Sequence, residues 1–208
     1  MRHAAKAVFN ALAMLLTAPA ALMCRAQEQV MPSHTVFDFW AHVAAQLPGL
    51  PGQFVRRSFY RWLLPACAEN VIIGYGAILD RKAELGAASY VGAYAIIGWV
   101  RIGEGSLIGS RASIPSGGGQ HHFLPSGQWS ATDHSRMTRV TIGANTWIGE
   151  SAVIMADVGQ GCMVAAGAVV AAALPDGVMV AGNPARFVRR VTAESHEVPD
   201  AAAVSSVR

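Results

Sequence analysis

The sequence has little cysteine and little net charge, and each scarcity excludes a class of protein. Cys24, Cys67 and Cys162 are the only cysteines, form no CxxC pair and cannot all be paired within one chain, which argues for a reducing compartment. The 16 basic and 13 acidic side chains leave a net charge of +3, and the basic residues form no stripe, which argues against a nucleic acid partner. No low-complexity linker divides the 208 residues, so we expect one principal domain.

Charged side chains are missing from a stretch near the amino terminus. Residues 7–23 are apolar apart from Asn10 and Thr17, and they follow a short basic segment. This pattern is typical of a cleaved signal peptide, but also of a helix that packs on the protein or lies on a membrane surface. A full membrane span needs about 20 apolar residues and is disfavoured by Asn10 and Pro19. We predict an apolar helix or membrane-associated segment over residues 1–30, with these three alternatives open.

A second helical region is expected over residues 31–70. Residues 36–66 have a helical pattern that is interrupted at 47–52, where prolines and glycines cluster. This region can cap the open end of a core that follows it, or it can dock on anionic lipid or a lipid-linked acceptor. The predicted apolar face and the basic residues beside it are Phe54, Phe59, Trp62 and Leu63 with Arg56, Arg57 and Arg61.

Leu, Ile or Val opens fourteen six-residue units between residues 73 and 170. Nine of these opening residues are followed by Gly, and a small residue recurs four places after most of them. The opening residues are Ile73, Leu79, Leu85, Val91, Ile97, Ile102, Ile108, Ile114, Ile142, Ile148, Ile154, Val158, Val164 and Val170. The small residues are Ala77, Ala83, Ser89, Ala95, Ser106, Ala112, Thr146, Ala152, Cys162 and Ala168.

This period of six predicts short parallel strands joined by tight corners. Three units return the chain to its starting direction, so the opening residues of successive coils stack, such as Ile73 under Val91 and Ile148 under Val164. Each coil then adds one layer of backbone hydrogen bonds, with strands about 4.8 Å apart. The sequence therefore predicts a parallel β-helix over about 71–173, with Cys162 as a core thiol. The general rule for parallel connections favours a right-handed coil.

The repeat stops between Ile114 and Val140, in a loop (residues 115–139) far longer than an ordinary connection. The loop contains three glycines at 117–119 followed by His121 and His122, and His134 lies further on. Such a concentration of imidazoles suggests proton transfer or metal binding, although a flexible surface loop with solvated histidines fits as well.

The segment from residue 140 to residue 190 resembles the carboxy-terminal coils of the hexapeptide-repeat acyltransferases. The shared motifs are Trp147-Ile148-Gly149, Ala166-Gly167-Ala168-Val169-Val170 and Gly182-Asn183-Pro184-Ala185-Arg186, in the order found in acetyl-coenzyme A-dependent sugar O-acetyltransferases. The segments LPGLPGQFVRRSFYRWLLPAC and GSRASIPSGGGQH resemble the subgroup associated with bacterial capsule, exopolysaccharide or lipopolysaccharide modification. The resemblance implies an all-β core, a left-handed parallel β-helix of hexapeptide repeats, with an N-terminal helical region.

The resemblance implies an acetyl-CoA-dependent O-acetyltransferase in which a loop histidine is the general base. His121 occupies that position, with His122 and then His134 as rivals. A sugar hydroxyl is a poor nucleophile at neutral pH, and an imidazole can take its proton as it attacks the thioester. Neither a metal ion nor an acyl-enzyme is then needed.

The resemblance also assigns coenzyme A contacts to positions of this chain. Glu150 and Ala166 would line the pantetheine groove through their backbones, Ala171 and Ala172 would lie at the next corner, and Arg186 and Arg189 would meet the phosphates. Alanines at 171 and 172 replace the common Thr-Lys, which removes one cationic contact. The alternative for the arginines is a solvated basic tail.

Further expectations follow from the resemblance and from the composition of the two ends of the chain. The family usually forms trimers, and exposed aromatic side chains on the prism also favour a homotrimer. We expect a carbohydrate acceptor, a cytoplasmic location that can include the inner face of the cell membrane, and peripheral membrane contact through the N-terminal segment. The predicted β-helix domain spans 71–190, including a C-terminal segment at 174–190, and a polar, disordered tail is predicted over 191–208.

Two rival functions share the predicted prism. A γ-carbonic anhydrase-like metalloenzyme would need three converging histidines, two of them commonly five residues apart on a strand, and the hexads hold no such pair. A non-catalytic β-helix scaffold would have no activity for a His121 substitution to remove.

Overall fold

The computed structural model describes residues 2–31 and 33–192. The tail predicted over 191–208 lies outside these residues from position 193 onward. Three helices come first in the chain, and they are followed by a three-sided prism of short strands.

The helical region consists of α1 (Arg2–Val30), α2 (Thr35–Ala45) and α3 (Gly49–Leu63). α2 ends at Ala45 and α3 begins at Gly49, so the interruption between the two helices is shorter than the predicted 47–52. Pro51 lies in the first turn of α3, where the missing N–H of a proline leaves no hydrogen bond unmade.

The strands of the prism are two to five residues long and follow the repeat. They are β1 (Ala66–Cys67), β2 (Ile72–Ile73), β3 (Ile78–Leu79), β4 (Glu84–Leu85), β5 (Tyr90–Val91), β6 (Ile96–Ile97), β7 (Val100–Ile102), β8 (Leu107–Ile108), β9 (Ser113–Ile114), β10 (Val140–Ile142), β11 (Trp147–Ile148), β12 (Val153–Ile154), β13 (Met163–Val164), β14 (Val169–Val170), β15 (Val178–Ala181) and β16 (Arg186–Arg190).

These strands form three sheets, one for each side of the prism. The first sheet has the order β1-β4-β7-β10 and continues through single bridges at Val158 and Leu174. The second has the order β2-β5-β8-β11-β13-β15-β16, and the third has β3-β6-β9-β12-β14. All pairs are parallel except β15 with β16. The five strands of the third sheet therefore define five complete coils, and β15 belongs to a partial sixth.

The register of the sheets is the one that the repeat predicts. Ile73 pairs with Val91, Ile142 with Val158 and Ile148 with Val164. All fourteen opening residues are at most 2% exposed, and all ten small residues of the repeat, including Cys162, are buried as well. The core is a column of stacked aliphatic side chains that runs the length of the prism.

Parallel strands extend beyond the predicted 71–173 at both ends. β1 precedes the first opening residue, and β15 continues the second sheet after residue 173. The strand β16 then turns back and pairs antiparallel with β15. Both strands of the C-terminal segment therefore belong to the second sheet.

Three corners connect the sheets, and glycine is needed where adjacent coils approach closely. A Cβ on Gly92 would come within 2.5 Å of the Ser110 backbone nitrogen, and one on Gly143 within 2.3 Å of the Gln160 nitrogen. We call the connection from the first to the second sheet the first corner, that from the second to the third sheet the second corner, and the return to the first sheet the third corner.

The helices close the open end of the first coil. Tyr60 on α3 accepts a hydrogen bond from the Leu79 backbone N–H (3.2 Å), and Arg56 Nε donates to the Ile73 carbonyl (3.0 Å). Arg57 donates to the Val71 carbonyl (3.3 Å). Arg56 and Arg57 are both buried, so these two side chains bind carbonyl groups of the protein and are not available for anionic lipid.

Candidate functional site

The long loop leaves the prism at the third corner, between β9 and β10, and folds as a short hairpin. Phe123 and Trp129 form an antiparallel bridge, the Leu124 N–H donates to the Gln128 carbonyl (2.8 Å), and Gly127 turns the chain with φ 79°. The rings of Phe123 and Trp129 lie 5.5 Å apart and nearly perpendicular, and both side chains are exposed.

The base of the loop is fixed by backbone contacts. The Thr138 N–H donates to the Ser116 carbonyl (3.0 Å), and the Ser116 hydroxyl accepts from the Trp99 N–H (2.9 Å). Gly117 has φ 78°, and a Cβ there would lie 2.2 Å from the Thr138 hydroxyl oxygen. Gly117 is thus required by the fold of the loop itself, whereas Gly118 has nothing within 4 Å of an added Cβ.

His121 is exposed on the first strand of this hairpin, and one of its two ring nitrogens has a partner. Its Nδ1 lies 3.1 Å from the Ser130 carbonyl oxygen. Because a carbonyl only accepts, this contact requires the hydrogen on Nδ1 and leaves the Nε2 lone pair of a neutral ring available. Nε2 therefore has the form that a general base needs.

The two rival histidines have different surroundings. His122 is half-buried, and no atom of residues 2–31 or 33–192 makes a hydrogen bond to its buried Nδ1. Its backbone N–H donates to the Ser130 hydroxyl (3.1 Å). His134 is exposed and begins a 3-10 turn (His134–Arg136) on the return side of the loop.

Asp133 caps that turn. Its carboxylate accepts hydrogen bonds from the Ser135 N–H (3.0 Å) and hydroxyl (2.6 Å), and these bonds hold the pKa of Asp133 below its usual value. The Asp133 backbone N–H donates to the Gln120 carbonyl (2.9 Å), which joins the return side of the loop to the residue before His121.

The predicted coenzyme A contacts divide between two corners. Glu150 and Ala166 lie together at the second corner in successive coils, where the Gly167 N–H donates to the Glu150 carbonyl (2.8 Å). The Glu150 side chain is exposed, with a carboxylate oxygen 3.6 Å from Arg111. Ala171 and Ala172 are exposed at the third corner, the same corner as the loop but two coils later.

The third sheet separates these two groups. Ala166 and Ala171 are five positions apart in the sequence, a separation that spans at most about 17 Å when extended. Within one chain, the loop histidine therefore shares a corner with Ala171 and Ala172, while Glu150 and Ala166 lie on the other side of the third sheet.

Arg186 and Arg189 lie on β16, so this segment is an ordered strand, and most of its side chains are exposed. Arg186 is exposed and donates to the Ala185 carbonyl (3.3 Å), and Arg189 donates to the Arg190 carbonyl (3.2 Å). Arg190 donates to the Asp176 carbonyl (3.2 Å), which links this strand to the first corner.

An open cleft of about 500 Å³ lies at the first corner, and sequence reasoning did not single it out. It is lined by Ala144, Asn145, Gln160, Gly161, Asp176, Gly177, Val191 and Thr192. None of the predicted site residues lines it. For metal binding, we find no group of three His, Cys, Asp or Glu side chains within residues 2–31 and 33–192 that could hold an ion.

Comparison with known proteins identifies the repeat. A family model described as the hexapeptide repeat of succinyl-transferase matches residues 99–118 and 139–172. The expected fold class, a left-handed parallel β-helix with an N-terminal helical region, is confirmed, and so is the resemblance to the hexapeptide-repeat acyltransferases.

Solved structures with this fold include three acetyltransferases. A maltose O-acetyltransferase from Clostridium difficile 630 is 17% identical, with a TM-score of 0.62 over 75% of this chain and 85% of that one. A hexapeptide-repeat acetyltransferase from Vibrio cholerae O1 biovar eltor, complexed with acetyl coenzyme A, is 18% identical, with a TM-score of 0.61 over 74% and 85%. A galactoside acetyltransferase in complex with coenzyme A is 20% identical, with a TM-score of 0.58 over 79% and 85%.

Proposed function

We propose that this protein is an acetyl-CoA-dependent O-acetyltransferase that acts on a sugar hydroxyl in bacterial surface polysaccharide or glycolipid biosynthesis. The observation that carries the proposal is the His121 ring, which is held by the Ser130 carbonyl on a long loop at one corner of the prism. The similarity to acetyltransferases that act on maltose and galactosides, one of them in complex with coenzyme A, supports this class of reaction.

The chemistry of His121 follows from its hydrogen bond. With Nδ1–H donating to Ser130, Nε2 accepts the proton of the acceptor hydroxyl as its oxygen attacks the thioester carbon. The resulting positive ring keeps the same Nδ1–H bond, so the carbonyl oxygen also stabilises the charged form. When the C–S bond breaks, Nε2 returns the proton to the leaving thiolate, and the enzyme ends in its starting state.

The donor is proposed to lie against the prism. The backbones of Glu150 and Ala166, which lie in successive coils, would line the pantetheine arm, and Ala171 and Ala172 place only small side chains at the next corner. Arg186 and Arg189 on β16 bring cationic groups that suit the phosphates of coenzyme A.

A site that uses both corners requires a second copy of the chain, which supports the proposed homotrimer. The outward rows of the second and third sheets are apolar, with exposed Tyr90, Leu107, Trp147 and Ile96. The outward row of the first sheet instead carries the ion pair of Glu84 with Arg101 (2.8 Å). Packing the apolar rows against neighbouring prisms would cover them and bring the loop of one copy to the donor groove of the next.

We also propose a cytoplasmic location, because the acetyl-CoA that the reaction consumes is a cytoplasmic metabolite. The free thiols of the chain fit this compartment. Cys24 and Cys162 are buried, and burial raises the pKa of the Cys24 thiol to about 11.

Substitution of His121 tests the proposal. We expect His121→Ala to lower turnover by a factor of about 100 to 10,000, the usual contribution of a general base, while coenzyme A still binds and the melting temperature is unchanged. Turnover is measured as thiol released from acetyl-CoA in the presence of a panel of sugars and sugar nucleotides. Glycans from a deletion strain, analysed by mass spectrometry for the loss of acetyl groups, would identify the acceptor.

Two matched variants sharpen this test. His122→Ala removes the adjacent imidazole, and Ser130→Ala removes a hydroxyl but keeps the carbonyl that binds His121. Both should retain most of the activity. If His122→Ala abolished turnover and His121→Ala did not, His121 would not be the base. If no thiol were released with any acceptor, the scaffold alternative would gain support, and bound zinc in a stoichiometric amount would favour the metalloenzyme.

A further inference from the structure

The first helix, α1, buries its small side chains and exposes its large ones. Ala13, Thr17, Ala20, Ala21 and Cys24 form the buried stripe, with spacings of three and four residues. An amphipathic helix of a soluble domain normally does the reverse and turns its largest apolar residues toward the core.

The opposite face of α1 is a continuous apolar surface. Leu15 and Leu16 are 73% and 69% exposed. The remaining large apolar residues of this surface are Val8, Phe9, Leu12, Leu22 and Met23, all more than half exposed. Their spacing aligns them along one side of the helix, so they form one patch and not scattered single residues.

This face contains no group that could hydrogen-bond to a partner. Between Lys6 and Arg25 the only polar side chains are Asn10 and Thr17. Asn10 accepts a hydrogen bond from Arg57, and the Thr17 hydroxyl donates to the Ala13 carbonyl (2.8 Å), so both side chains are engaged within the protein. Protein interfaces usually carry about one hydrogen bond per 100–200 Å², whereas hydrocarbon offers none. The composition of the face therefore suits lipid better than another protein.

Hydrogen bonds join α1 to α3. Trp62 Nε1–H donates to the Met14 carbonyl (3.1 Å), and Arg25 donates to the Trp62 carbonyl (2.7 Å). Lys6–Val30 is long and apolar enough to cross a membrane, but signal sequences and the core helices of soluble proteins meet the same criterion. A spanning helix would be surrounded by lipid, and these bonds would have to break. The contacts instead favour a helix that lies along a surface.

The charges of the helical region suit an anionic surface. Residues 2–65 contain six Lys and Arg side chains and two acidic ones, but Arg56 and Arg57 are buried against carbonyl groups of the protein, and Glu28 is paired with Arg81. Lys6 and Arg25 are exposed and lie at the two ends of the uncharged stretch, about 29 Å apart along the helix axis. Basic residues that flank an apolar helical face are attracted to anionic headgroups.

We infer that the exposed face of α1, formed by Val8, Phe9, Leu12, Leu15, Leu16, Leu22 and Met23, docks the protein on the surface of an anionic lipid bilayer, with the helix lying in the plane of the membrane. The inference rests on the packing of α1 and not on acetyl transfer. If the proposed function also holds, docking brings the prism to the surface where lipid-linked sugars are assembled.

Co-sedimentation of the full chain with vesicles tests the docking surface. We expect the protein to sediment with vesicles of phosphatidylcholine and phosphatidylglycerol, and more weakly with phosphatidylcholine alone. A triple variant, L12Q/L15Q/L16Q, should bind at least about tenfold more weakly, because it removes three exposed leucines from contact with hydrocarbon. The matched control L12M/L15M/L16M keeps the face apolar and should bind as the unaltered chain does.

Three results would overturn the inference. The glutamine variant could sediment as well as the methionine variant, or the unaltered chain could fail to sediment with either kind of vesicle. The third result would be a change of oligomeric state in the glutamine variant, measured by light scattering without vesicles. Such a change would mean that the face is a contact between copies of the chain. Calorimetric binding of coenzyme A is measured on the same variants and should be unchanged. A failure of docking is thereby separated from a failure of the proposed donor site.

Discussion

The prism and the α1 helix are both rich in apolar residues, but they bury opposite kinds of side chain. In the prism the fourteen aliphatic opening residues lie inside, and small or polar residues form most of the corners. In α1 Ala13, Ala20 and Ala21 lie inside, whereas all four leucines are exposed. Burial of an aliphatic side chain therefore depends on the direction in which its position turns it, and not on its hydrophobicity alone. The contrast also separates two roles, stability in the prism and the membrane docking that we propose for α1.

The largest expected effect is on the prism side of this contrast. Ile108 on β8 is fully buried and stacks between Val91 and Ile148. We expect Ile108→Ala to lower the free energy of unfolding by about 2–5 kcal/mol, because it removes packed methylene groups and leaves a cavity. Leu15→Ala on α1 should change it by less than about 0.5 kcal/mol. Denaturant unfolding of both variants measures the difference, and equal losses would break the comparison.

A second prediction concerns the boundary between the two regions. Arg56 is buried and donates to the carbonyls of Ile73 (3.0 Å) and Leu47 (2.5 Å). Arg56→Met keeps the side-chain volume but leaves both carbonyls without these bonds, so we expect a loss of about 1–3 kcal/mol in the free energy of unfolding. Arg61→Met on the same helix is the control and should lose less than about 0.5 kcal/mol. If Arg56→Met left the free energy of unfolding unchanged, the contacts of Arg56 would not contribute to the capping of the first coil by α3.

Much of the prism could be predicted because its signal is local. Each opening residue and the glycine beside it repeat within six positions, so stacking such as Ile73 on Val91 follows from counting. The two ends of the prism could not be predicted in this way. β1 has Cys67 instead of an aliphatic opening residue, and β16 pairs antiparallel and lies outside the repeat. The handedness of the coil came only from the family resemblance.

The candidate site was less predictable, because backbone groups form part of it. His121 is predicted as the base from its place just after the last repeat before the loop, but the carbonyl of Ser130 that binds its ring has no signature in the sequence. The orientation of α1 could not be predicted either. Almost every side chain between Lys6 and Arg25 is apolar, so no periodicity distinguishes the side that packs on α3 from the side that is exposed.

The smallest expected effect is on the ion pair that joins α1 to the prism. Arg81 donates to Glu28 (2.7 Å), and this bond is the main cause that lowers the pKa of Glu28. A lowered carboxyl pKa stabilises the folded protein above the ordinary value of about 4.3, and that stabilisation is lost as the pH falls through the folded-state pKa. Glu28→Gln should therefore cost less than about 1 kcal/mol at pH 7, because the pair is partly exposed, and the difference from the unaltered chain should shrink in acid. Gln29→Glu, one residue away, is the control for charge alone. Unfolding measured at pH 7 and pH 4 checks the sign, and a difference that did not shrink in acid would contradict a stabilising role of the ionised Glu28 carboxylate.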